Sequence, residues 1–316
     1  MKKNIKVLIA ISLVIIASLS FSGCTKNKYS ENPELLPSLK LPSYGGFIPH
    51  DFDVQLSSDA SNPPGEMLVY KAEPIRIDEK KLCAMSGIDI NAISKEDVSV
   101  IIRKQSGNTL TIDKKTGFFE FSTQNLYDYT PGKEVPGDEE CLALAKSFVD
   151  KYKLLPEIYQ YRTSISNTTY HPSLNEEIVI DKTITFYPAI DNKEIIGPKF
   201  GLMFGDKGKV EGLVSTLYTL NPVGNYTLKS TDEVVKQLKN NEVTAWKVEL
   251  ENPDAEKVII DKIETEYYGD IGTTLESGEE FVQPVYKLSG EILYKNGDKG
   301  KFEAFVPAVS SQFIQH

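Results

Sequence analysis

The chain has 316 residues, 40% of them hydrophobic and 10% aromatic, which is enough apolar content for a real core and excludes a disordered chain. Its 45 acidic residues outnumber 35 Lys and Arg, for a formal charge of −10. That balance excludes a nucleic-acid surface, which needs clustered cations, and it opposes a broad electrostatic grip on anionic lipid.

Three lysines, Lys2, Lys3 and Lys6, precede an apolar run from Val7 to Phe21, and Ser22-Gly23-Cys24 follows at once. A basic head, a short apolar body and small residues before a break describe an export signal. The run is shorter than the roughly 20 residues a bilayer crossing needs. With Cys24 directly after Ser22-Gly23, the segment resembles a bacterial lipoprotein signal. The resemblance implies that residues 1–23 are removed and that Cys24 carries a diacylglycerol thioether. Phe21 departs from the Leu usual three residues before that cysteine. Removing residues 1–23 leaves 32 cations against 45 anions, a charge of −13. Attachment to the outer face of the cell membrane then rests on the lipid, whose buried methylenes contribute about 0.8 kcal/mol each.

Residues 24–46 read as a tether, punctuated by Pro33, Pro37, Pro42 and Gly45-Gly46. An N-terminal α+β region is expected over 47–130. Asp78 to Met85 predicts a short helix stopped at Ser86-Gly87. Val98–Ile102, Thr109–Ile112 and Phe118–Ser122 predict a meander with turns at Ser106-Gly107-Asn108 and Lys114–Gly117. A first module is expected over 131–229. Asp138 is read as the cap of a helix whose stripe is Leu142, Ala145, Phe148, Val149 and Tyr152. Strands follow at Ile178–Tyr187, Lys199–Phe204 and Val210–Tyr218, and Asn221–Gly224 closes the unit. A second module, 230–316, opens on the capping-box pattern Ser230-Thr231-Asp232-Glu233. Its strands are Ile259–Tyr268, Val282–Glu291 and Phe302–Val309. The order helix–strand–strand–strand therefore occurs twice. It predicts an α+β fold of antiparallel sheets, each covered by a helix.

The series Thr185-Phe186-Tyr187-Pro188-Ala189, Ile195-Ile196-Gly197, Gly201–Phe204, Asp206–Val210 and Leu220–Tyr226 resembles the PepSY-like modules of Gram-positive bacteria. It is closest to the extracytoplasmic accessory regulators of an essential cell-wall two-component system and to propeptide-type PepSY units. Gln283-Pro284-Val285-Tyr286 and Phe305–Val309 are similar to the closing strands of those proteins. The resemblance covers roughly 95–316 and carries no catalytic residue. It implies tandem modules that bind a protein partner. Those regulators are held by a spanning helix, whereas this chain reads as lipid-anchored.

No His-Glu-x-x-His, Gly-x-Ser-x-Gly, Ser-x-x-Lys, phosphate-cradling loop or Cys-x-x-Cys occurs in the sequence. His50 and His171 sit beside prolines and His316 ends the chain, so no metal ligand set is expected. The acidic clusters at 138–140, 176–177 and 276–280 lack calcium-loop spacing and read as caps and solvated faces. No cofactor is expected. Cys83 and Cys141 could form one disulfide outside the cell, although two small buried hydrophobes is the simpler reading. The 16 tyrosines suit strands by β propensity and also suit binding surfaces. The expected function is non-enzymatic binding or regulation of an envelope protein, a protease or a sensor's outer domain. The alternative is an envelope hydrolase using acidic residues. A substrate-binding lipoprotein would need two α/β lobes that the pattern lacks.

Overall fold

The computed structural model describes residues 34–39, 41, 49, 52–58, 63–96, 99–129, 131–173, 176–240, 242, 245–250, 252, 254–269 and 281–315. The expected signal, Cys24 and the acidic cluster at 276–280 lie outside the described residues. Residues from Pro33 onward form one unit.

The first part of that unit contains β1 (Asp53–Leu56), β2 (Glu66–Pro74), α1 (Glu79–Ser86), β3 (Ile93–Glu96), β4 (Val100–Gln105), β5 (Asn108–Asp113) and β6 (Phe119–Ser122). The middle holds α2 (Asp138–Tyr152), β7 (Gln160–Ser173), β8 (Glu176–Ile190), β9 (Lys193–Ile196), β10 (Phe200–Phe204), β11 (Val210–Ser215) and β12 (Tyr218–Thr227). The last part holds α3 (Thr231–Lys239), β13 (Ala245–Val248), β14 (Ala255–Tyr268), β15 (Phe281–Tyr294) and β16 (Lys299–Pro307).

Local chemistry explains the ends of these elements. Asp78 accepts the Lys81 N–H at 3.1 Å to start α1, and Gly87 stops it in the left-handed conformation. Ser230 and Glu233 close the expected capping box at α3. Asp138 is not the cap of α2; Gly137 holds that position, and Asp138 pairs instead with Lys182 of β8. Ser106-Gly107 and Asp191-Asn192 take positive φ at both turn positions, as tight hairpins require.

The expected α+β fold of tandem helix-covered modules is corrected by the structure. The fold is β-rich: sixteen strands hydrogen-bond into one connected network, against three α-helices of 8, 15 and 9 residues among the described residues. The main path runs β12-β2-β15-β14-β9-β8-β10-β11-β6-β5-β4-β3. Three pairings defeat the modular reading. β12 lies along β2, with Leu220 opposite Ala72, and the start of β15 also pairs with β2. β9 joins β14 in parallel through Ile195–Tyr267 and Ile196–Tyr268, while β1 runs parallel to β14. Partners are thus drawn from distant parts of the chain. Asn221–Gly224, read as a closing turn, passes through β12 as strand with a register shift between Pro222 and Gly224.

Helices and sheet share two large apolar clusters. Leu82 and Cys83 of α1 and Cys141, Ala145 and Val149 of α2 pack with Ile184, Phe186, Phe200 and Leu213. Val234 and Leu238 of α3 pack with Trp246, Tyr286, Leu288 and Ile292. Each such aliphatic side chain removed from water contributes about 1.5–3 kcal/mol. The central strand β15 is buried on both faces, because Val285 joins Tyr268 and Phe305 in a further cluster that Leu39 and Leu41 cover. Leu36, in the segment read as a tether, is fully buried with Val69, Tyr226, Phe281 and Val309.

Candidate binding groove

β13, β16, β15 and β14 pair antiparallel in that order, so residues one step apart alternate between core and outer face. On the outer face the pairing aligns Lys247, Glu303, Ser289 and Lys262 in one row across four strands. The next row places Lys287 beside Glu264. The two signs answer each other: Glu303 contacts Lys287 at 2.6 Å and Lys247 at 3.8 Å, and Lys262 contacts Glu264 at 2.7 Å.

The first row lines a cavity of about 650 Å³ whose wall also includes Val248, Glu249, Gly290, Lys301 and Phe302. A second hollow of about 240 Å³ shares Lys247 and Glu303 with it and extends to Arg162, Glu194, Glu266 and Phe305. The larger volume lies in the range of small-ligand sites. Gly290 sits opposite the register shift between Ile260 and Lys262, where β14 comes so close that no side chain fits. At the far end Glu266 accepts the Glu194 N–H, and burial raises its carboxyl above the ordinary carboxylate value. Arg162 reaches the same end through Glu194 at 3.4 Å and the Asn192 carbonyl at 2.6 Å. Half-exposed pairs of this kind are worth about 0–1 kcal/mol each. A ligand carrying both signs can therefore exchange partners with them at little cost.

A second charged cluster is buried. The Lys133 ammonium donates to Asp181 Oδ1 and to Glu211 Oε2, both at 2.9 Å, and the three side chains are 5% exposed or less. Asp181 also accepts the Tyr127 N–H at 2.9 Å, and Lys133 lies 3.4 Å from the Asp128 carbonyl. The loop from Thr123 to Lys133 is thereby latched to β8 and β11. Burial raises the Glu211 carboxyl above its ordinary value; the nearby Asp181 carboxylate adds to this and Lys133 opposes it. Burial alone would lower Lys133, but its hydrogen bonds to the two carboxylates outweigh that and raise it. A hollow of about 340 Å³ touches Asn125, Lys133, Asp206, Lys209 and Glu211.

Of the residues singled out in sequence, Cys24 lies outside the described residues. Cys83 and Cys141 are free, buried thiols in the core beneath α1 and α2, each with its pKa raised chiefly by burial. His171 lies on the exposed β7. Neither the groove nor the Lys133 cluster was singled out. Asp181-Lys182, charged in the middle of an apolar β-branched run, was the readable sign of buried partners. Comparison with family models, with curated proteins and with solved structures finds no match.

Proposed function

We propose that the chain is a lipid-anchored binding protein on the outer face of the cell membrane, held through Cys24, whose groove takes an extended, mixed-charge segment of an envelope protein. The observation that supports this reading is the Lys247–Glu303–Ser289–Lys262 row flanking a cavity of about 650 Å³. A face that carries both signs across neighbouring strands suits a polypeptide segment that also carries both signs. Electrostatic complementarity of this kind selects a partner more than it adds raw affinity. The test is crosslinking in membranes with full-length chain, compared with a Lys247→Glu/Lys287→Glu variant. An envelope protein recovered with the first and lost with the second is the expected result. Equal recovery would remove the groove from the contact, and no reproducible recovery would end the binding reading.

A hydrolase reading has one observation in its favour: Glu211, paired with Asp181 through Lys133, touches a hollow and has its pKa raised. It ranks second because Lys133 occupies the space between them and little of either reaches solvent. Turnover of peptidoglycan, peptide or glycan that disappears in Asp181→Asn and Glu211→Gln would reverse the ranking.

A further inference from the structure

Strand β7 is 14 residues long, lies at a sheet edge and pairs, among the described residues, only with β8. Its pairing with β8 runs from Gln160 to Tyr170 with one register shift, between Thr168 opposite Asp181 and Thr169 opposite Val179, where β8 carries the extra residue. Along that stretch every second residue turns its N–H and C=O away from β8. Sheet edges are ordinarily blunted by lysine, proline or a bulge in the edge strand itself. Thr163-Ser164-Ile165-Ser166-Asn167-Thr168-Thr169-Tyr170 has no charge, proline or glycine, and Ile165 and Tyr170 are 36% and 40% exposed.

We propose that β7 is the interface through which two copies of this chain pair, antiparallel about a twofold axis at Ser166. The strand's own sequence favours that occupant. Centred on Ser166, the symmetric register sets Thr163 opposite Thr169 and Ser164 opposite Thr168, and such hydroxyl pairs stabilise neighbouring strands. It sets Ile165 beside Asn167 and so covers an exposed aliphatic side chain. Arg162 is the sole charged residue of β7, and it falls opposite Tyr170 rather than its own copy. In a chain of net charge −10, this register brings two copies of β7 together without setting like charges of the strand opposite each other. The contact is isologous, so it closes at two copies and uses the β7 edge of both.

The test places single cysteines in the full-length chain in membranes and applies a mild oxidant. In the proposed register residue 166 faces itself, while two copies of residue 164 stand about 13 Å apart, four residues along the strand. Ser166→Cys is expected to give roughly tenfold more disulfide-linked dimer than Ser164→Cys or Thr168→Cys alone, which lie beyond disulfide reach. Co-expressing the Ser164→Cys and Thr168→Cys chains should restore the crosslink. Equal crosslinking at all three positions, none above wild type at residue 166, or a link from residue 166 to a protein of another size would each overturn the proposal.

Discussion

Replacing Lys133 with methionine is expected to cost about 3–5 kcal/mol of folding stability, the usual loss when one partner of a buried ion pair is removed. Methionine fills similar space, so the loss reports charge rather than a cavity. Without the ammonium, Asp181 and Glu211 face each other in a site where both are 5% exposed or less, and the Thr123–Lys133 loop loses its latch. Urea unfolding of the purified protein measures it; a loss below about 1 kcal/mol would mean the cluster contributes no more than a surface pair. The pH dependence follows in sign. Glu211 holds its proton in the folded chain above the ordinary 4.5, so folding takes up a proton there. Its contribution is complete below that value and is lost as pH rises through the folded pKa. Glu211→Gln, which keeps an acceptor for Lys133, should flatten that slope. Lys133→Met should steepen it, because the cation that opposes the rise is gone.

Gly290→Ala is expected to lose about 3 kcal/mol, the upper end for forcing extra volume into a packed site. The new methyl would overlap the Ile259 carbonyl oxygen and crowd the Asp261 N–H, both backbone atoms that cannot rotate away. Gly290 belongs to the central strand, opposite Ile260 on one side and Phe302 on the other, so the strain falls on two ladders at once. Hydrogen exchange should accelerate along β14 and β15, and partner recovery through the groove should fall with it. The neighbouring Ser289→Ala, which adds nothing to that contact, should stay within about 0.5 kcal/mol of wild type. Equal behaviour of the two variants would show that β14 yields at the register shift.

What could be read from the sequence was local. Asp78 and Gly87 bracket α1, Ser230 and Glu233 open α3, and Ser106-Gly107 turns a hairpin, because each signal and its effect lie within four residues. Strand partners are a different kind of information. β8 was legible from its apolar run, but nothing in its residues says that β7 lies beside it. β7 itself escaped notice because a strand exposed on both faces has no alternation to detect. The two repeats of helix and strands suggested modules. The same segments instead pair with β1 and β2, whose short or mixed patterns gave no sign of that role. The charged sites stayed hidden for the same reason. Lys133 meets acids 48 and 78 positions away, and the groove's rows exist only once four strands are aligned.

Leu36 has a consequence for the order of events during synthesis. Its N–H donates to the Phe313 carbonyl and its own carbonyl accepts from Gln315, so one of the first described residues is held by nearly the last. A chain emerging N-terminus first leaves Leu36 waiting in water until Phe313 and Gln315 have followed. Closing so long a loop carries an entropic cost that only the finished pocket of Val69, Tyr226, Phe281 and Val309 offsets. The burial of Leu36 is therefore a clasp that closes only after residues 313–315 are made. A chain cut just before Phe313 would keep most of its sheets and leave the oily segment around Leu36 free for proteases and chaperones to find.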